Sequence, residues 1–144
     1  GGAGARWGQV NVPDDARLLT LGADPRAAGA AREFTGKVLS EWAVDGDAVT
    51  DLLLIVSELV TNAVVHGAPP VRLWLWTTGG RVHGAVDDHG NGRPRFVAGG
   101  IPFTDDMRES GRGLALVTAM ASAVSWRWLP EGGVRVWFSY ALEP

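Results

Sequence analysis

A two-layer α/β (α+β) sandwich, with helices on one face of a mixed, mostly antiparallel sheet, is the fold class this sequence predicts, and three features predict it. Apolar residues recur at helical spacing in two stretches between about residues 24 and 66. Strict alternation then appears in two paired runs, 71–88 and 123–142, each folded back on a Gly-rich turn. Finally, 144 residues with 46% hydrophobic content suit one compact core. Packing the helices on one sheet face is the economical way to close it.

The elements follow in order. Residues 1–14, "GGAGARWGQVNVPD", show no periodicity and are expected to be a flexible lead-in to a single domain over 15–144. "ARLLTL", 16–21, is a short apolar run that predicts a strand. Asp24 followed by Pro25 marks a helix start, because Asp caps free N–H groups and Pro at the first helical position loses nothing. Ala27, Ala31, Phe34, Val38 and Trp42 then form the apolar stripe of a first helix that ends near "VDGD". A second helix is predicted from about Ala48 to His66, stopped by Gly67 and "APP". Its apolar face is Leu52, Ile55, Val56, Leu59, Val60, Ala63 and Val64.

The period then changes to two. "VRLWLWT", 71–77, and "RVHGAVDD", 81–88, form a hairpin about Gly79 and Gly80. Residues 89–112, irregular and rich in Gly, Pro and charge, have the length of a lid or binding segment. "GLALVTAMASA", 113–123, reads as a third helix with a glycine-rich start. "AVSWRWLP" and "GVRVWFSYAL" make a second hairpin about "PEGG". Trp74 and Trp76 share the strand face opposite Leu73 and Leu75, and with Trp126, Trp128 and Trp137 they either close a core edge or form a partner surface.

Composition narrows the function. The net charge of −3 and the lack of any run of like charge exclude a nucleic-acid footprint or a basic membrane surface. With no Cys there are no disulfides, thiol nucleophiles or thiolate metal sites. No apolar stretch approaches the roughly 20 residues of a membrane span and no signal peptide is visible, so a cytoplasmic location is the default expectation. The chain begins with Gly1 rather than Met, which reads as a piece of a longer protein.

Three segments carry residues suited to chemistry. On the second helix Glu58, Asn62 and His66 fall at steps of four and share one edge of the apolar face. A Glu can take a proton and an Asn carbonyl can serve a hard cation, while a His in the last turn can satisfy terminal carbonyls; solvated helix-surface residues are the plain alternative. In "VDDHGNGRP", 86–94, Asp88 at a strand end can accept from an amino group while Gly90 and Gly92 admit a flat ligand. Asp87 competes for that role, on the opposite face if the strand persists; an ordinary Asp/Gly turn is the alternative. "ESGRGLALV", 109–117, feeds a helix N-terminus, where N–H groups and Arg112 can cradle phosphate. The single lysine, Lys37, argues against a Walker-type ATPase.

Taken together, the motifs resemble the GHKL ATPase superfamily, and most closely its bacterial anti-sigma-factor serine kinase branch of actinobacterial type. The N box is matched by "ELVTNAVVH" with Glu58, Asn62 and His66, the first glycine box by "DHGNG" with Asp88, Gly90 and Gly92, and the second by "GRGLALV" with Gly111, Arg112, Gly113 and Leu114. The likeness runs from about residue 15 to 142 in the same element order. It implies a Bergerat ATP-binding fold holding Mg·ATP. Asn62 would bind Mg²⁺, Asp88 would accept the adenine amino group, Gly92 would shape the base pocket, the backbone of Gly111 to Leu114 would hold phosphates, and Glu58 would act as the general base.

The resemblance further implies a serine/threonine kinase that phosphorylates an anti-sigma-factor antagonist and sequesters a sigma factor, commonly as a homodimer. A non-catalytic binding module, such as the C-terminal domain of a multidomain phosphatase or sensor, is the competing reading. A histidine-kinase catalytic domain is disfavoured, because no helical pair bearing an acceptor His precedes the N box. One departure concerns the last hairpin. Branch members often read "GKTVWF" where this chain reads "GVRVWF", so Arg135 replaces a Thr that supports the adenine-binding Asp. Its side chain either fills the pocket or turns outward.

Overall fold

The fold is that of a computed structural model, which describes residues 11–90 and 117–143. The described elements are β1 (Arg17–Leu21), α1 (Ala27–Glu41), α2 (Asp47–His66), β2 (Val71–Thr78), β3 (Arg81–Asp88), β4 (Ala123–Trp128) and β5 (Val134–Ala141). A helical turn at 117–120 is the described part of the expected third helix. That helix ends at 120, three residues earlier than its apolar run suggested, and β4 begins at 123. The five strands lie in the order β1-β2-β3-β5-β4, and every described pairing is antiparallel.

Each sequence signal has its structural counterpart. Gly79 and Gly80 take φ of 49° and 78°, the left-handed pair a two-residue hairpin turn requires, and Thr78 faces Arg81 across it. Asp24 shapes the entry to α1: its Oδ1 accepts the Arg26 N–H at 2.7 Å and its carbonyl accepts the Ala27 N–H at 2.9 Å. The helix therefore starts two residues later than Asp-Pro alone suggests. Gly67 ends α2 without the left-handed conformation usual for a terminal glycine, at φ −106° and ψ −153°. Its need for glycine lies elsewhere.

The helices cover one sheet face. From α1, Ala27, Ala31, Val38 and Leu39 are buried, and from α2, Leu52, Ile55, Val56, Leu59, Val60 and Ala63. They meet Val71, Leu73, Leu75, Val82, Val86, Val134, Val136 and Phe138 of the sheet, together with Val117. By length and hydropathy α2 could cross a membrane, contrary to the expectation from sequence: it has 20 residues, and the mean hydropathy of its 18-residue window is 1.8. Its apolar stripe packs on α1, β2 and β3 instead, as in a core helix.

The outer sheet face carries a second, smaller cluster. Trp76 and Trp137 are only 7% and 3% exposed there, packed with Ala85, Trp74, Val12 and Ala16. Thus the chain is already attached at Val12, inside the segment expected to be a lead-in. The tryptophans divide between the two expectations: Trp76 and Trp137 close a core edge, Trp126 joins the main core, and Trp128 is 48% exposed.

Candidate functional site

The site forms where the end of α2 meets the end of β3. Because successive residues of a strand point to opposite faces, Asp87 and Asp88 cannot share a role. Strand β3 persists to Asp88, so Asp88 lies on the helix-covered face beside Val134, while Asp87 lies on the outer face beside Arg135. Asp88 is buried, and its Oδ1 accepts the Gly90 N–H at 2.8 Å. Burial pushes its carboxyl above the ordinary value, an effect partly offset by hydrogen bonds from the Gly90 and Ala68 N–H groups.

Two glycines are present because the chains approach closely. A Cβ on Gly67 would lie 2.3 Å from Asp88 Cγ and 2.6 Å from the Ala63 carbonyl oxygen. A Cβ on Gly90 would lie 2.9 Å from Gly67 Cα. The junction is tied further by the His89 N–H donating to the Ala68 carbonyl at 2.9 Å, and by His89 Nδ1 lying 3.1 Å from the Pro70 carbonyl oxygen. From the other side, Gly133 at φ 104° brings the start of β5 against the Asp88 carbonyl, where a Cβ would stand 2.2 Å away.

From this junction the edge of α2 runs back through the predicted helix residues. At 1.5 Å per residue, Asn62 lies about 7.5 Å before Gly67 along the helix axis, and Glu58 about 6 Å before Asn62. Both are half-buried, and His66 is exposed in the last turn. A buried acceptor at the end of β3, and an amide and a carboxylate along one edge of α2, thus follow one another from the junction. Among the described residues there is no group of three or more His, Cys, Asp or Glu that could hold a metal. Gly92, Gly111, Arg112, Gly113 and Leu114 lie outside the described residues.

Arg135 does not share the face of Asp88. Its Nε and Nη2 donate to the two carboxylate oxygens of Asp87 at 2.7 and 2.8 Å, on the outer face. The residue level with Asp88 on its own face is Val134, one position before Arg135, and of the two outcomes open to Arg135 the side chain takes the outward one. A one-residue displacement in a strand moves a side chain to the other face. Sequence reasoning also missed Gly67, Gly133 and Val134 as site residues. Gly67 could have been noticed as a glycine directly following the motif, but its partner Asp88 is 21 positions away.

Comparison with known proteins places this geometry. Residues 21–140 match the family described as "Histidine kinase-like ATPase domain". Among solved structures, the chain is similar to the crystal structure of the RsbU and RsbW domains of Rv1364c from Mycobacterium tuberculosis, with a TM-score of 0.66 and 24% identity over 90% of this chain. The match spans 32% of that longer chain, and the likeness is one of fold. No curated protein matches. A five-stranded antiparallel sheet with helices on one face, ending in an Asp–Gly turn against the N-box helix, and a family match over most of its length establish that the chain belongs to the histidine kinase-like ATPase domain family.

Proposed function

We propose that the chain is a Mg·ATP-binding regulatory domain that acts as a serine/threonine protein kinase on an anti-sigma-factor antagonist and sequesters a sigma factor. The observation that carries the reading is the buried Asp88 carboxylate, held between Gly67, Gly90 and the Ala68 N–H where β3 ends against the helix that carries Asn62 and Glu58. An acceptor so enclosed suits the amino edge of adenine. In this reading Gly92 would shape the pocket of the flat base, as the family resemblance implies.

Magnesium commonly keeps several waters and is held through few protein oxygens plus substrate phosphates. The single Asn62 carbonyl fits that mode. The ion supplies charge neutralisation on the transferred phosphoryl group. The backbone of Gly111, Arg112, Gly113 and Leu114 would hold the phosphates, and Glu58 would orient the hydroxyl of the partner serine as its general base. A cytoplasmic location and a homodimer belong to the same reading. The competing reading, a binding module without transfer activity, has Arg135 obstructing the base as one of its two supports. With Arg135 on the outer face, that support is gone.

Calorimetric titration with a non-hydrolysable ATP analogue, with and without Mg²⁺, tests the proposal. Magnesium-dependent binding that disappears in a folded Asn62→Ala protein is the expected result. Equal affinity in that variant would remove Asn62 from the site, and no binding by the folded parent chain would overturn the nucleotide reading.

A further inference from the structure

We propose that the Asp87–Arg135 ion pair, on the sheet face turned away from the helices, positions the Asp88 carboxylate for adenine, which makes Arg135 a positioning residue of base recognition. The inference rests on the nucleotide reading above and adds to it how the key acceptor is held.

Asp88 is the last residue of β3, where the ladder to β5 ends at the Asp88–Val134 pair. The rung immediately before it joins Asp87 to Arg135. There the guanidinium grips both carboxylate oxygens, at 2.7 and 2.8 Å, with the two side chains only 14% and 6% exposed. A bidentate pair of this kind fixes direction as well as distance, and burial shields it from salt and water. Adjacent strand residues share a peptide plane and point to opposite faces. Anchoring Asp87 on one face therefore sets the twist with which Asp88 emerges on the other.

The tolerance on the Asp88 side is small. Its carboxylate is in contact range of Gly67, and its carbonyl faces Gly133. A recognition group needs placement to within about 0.5 Å. The rung also holds other cations: Arg72 on β2 lies in register with Asp87, and Arg127 on β4 lies in register with Arg135. If Arg135 lost its grip, Arg72 would stand on the opposite side of Asp87, ready to draw the strand end toward β2 and away from β5.

The test is a double-mutant cycle read by calorimetry, with ATP and with inorganic tripolyphosphate as ligands, and with thermal unfolding recorded for every protein. Arg135→Lys keeps the charge and removes the fork. The Asp87→Leu plus Arg135→Met double variant removes the pair without leaving a buried lone charge. Both are expected to weaken ATP about ten- to a hundredfold, the scale of a displacement near 1 Å, and to leave tripolyphosphate affinity unchanged. In an Asp88→Asn background, Arg135→Lys should cost no further affinity. A purely structural pair would lower the unfolding temperature without moving ATP affinity.

Unchanged ATP affinity in the folded variants, or an equal loss with and without Asp88, would overturn the inference. Failure of the parent chain to bind ATP at all would overturn the nucleotide reading instead, and the inference with it. The parent titration separates the two cases.

Discussion

Gly67→Ala probes the junction of α2 and β3 with a single methyl group. The backbone angles of Gly67, −106° and −153°, are open to any residue, so the substitution adds no conformational strain. Its whole effect is steric. The new Cβ would lie 2.3 Å from Asp88 Cγ, 2.4 Å from Asp88 Oδ1 and 2.6 Å from the Ala63 carbonyl oxygen. Against the usual contact of roughly 3.5 Å, each overlap is on the order of 1 Å, and one of the partners is backbone.

Overpacking on this scale costs about 1–3 kcal/mol. For a chain of this size that lowers the melting temperature by about 2–12 °C. Relief requires Asp88 to move, and losing one hydrogen bond to a charged group costs about 1.5–3 kcal/mol, or roughly 10- to 150-fold in the Kd for ATP. Gly84→Ala is the matched control. Its Cβ would stand 2.2 Å from Phe138 Cε1 and 3.2 Å from Leu75 Cδ2, so it crowds the core without touching Asp88. Calorimetry of both folded variants should show ATP affinity lost in the first and kept in the second. Parent-like affinity in Gly67→Ala, or an equal loss in Gly84→Ala, would refute the reasoning.

Glu58→Ala should keep ATP affinity while slowing phosphoryl transfer to a serine-bearing antagonist by about 10²–10⁴-fold, as measured by phosphate incorporation. ATP affinity should fall on acidification, starting above the ordinary Asp value of 3.8, because burial raises the Asp88 pKa and the ionised form is the acceptor; Asp88→Asn should flatten that profile. The same shift has a stability counterpart: the Asp88 contribution is full below its unfolded pKa and is lost as pH rises through the folded one. Tyr140 donates to Asp51 at 2.5 Å, and burial followed by that bond pushes its phenol from 10.0 to about 12. The stability it lends is therefore full below about pH 10 and lost as pH rises through about 12, and Tyr140→Phe should remove this part of an alkaline unfolding curve.

What the sequence by itself determined is the set of properties encoded within a few residues. The 3.6 and 2 periods placed both helices, both hairpins and the buried stripe of α2, because side-chain direction repeats with local backbone geometry. The steps of four set Glu58, Asn62 and His66 along one edge, and alternation separated Asp87 from Asp88. Gly79 and Gly80 announced their turn for the same reason.

Only the tertiary structure decided what depends on residues distant in the chain. The insertion of β5 between β3 and β4 brings Val134 rather than Arg135 level with Asp88, and gives Arg135 to Asp87. Gly67 proved necessary through a carboxylate 21 positions away, and Trp76 and Trp137 became buried on a face that alternation alone left open. Strand order and register follow from how whole faces pack, and a shift of one residue in a strand reverses which side of the sheet each group serves.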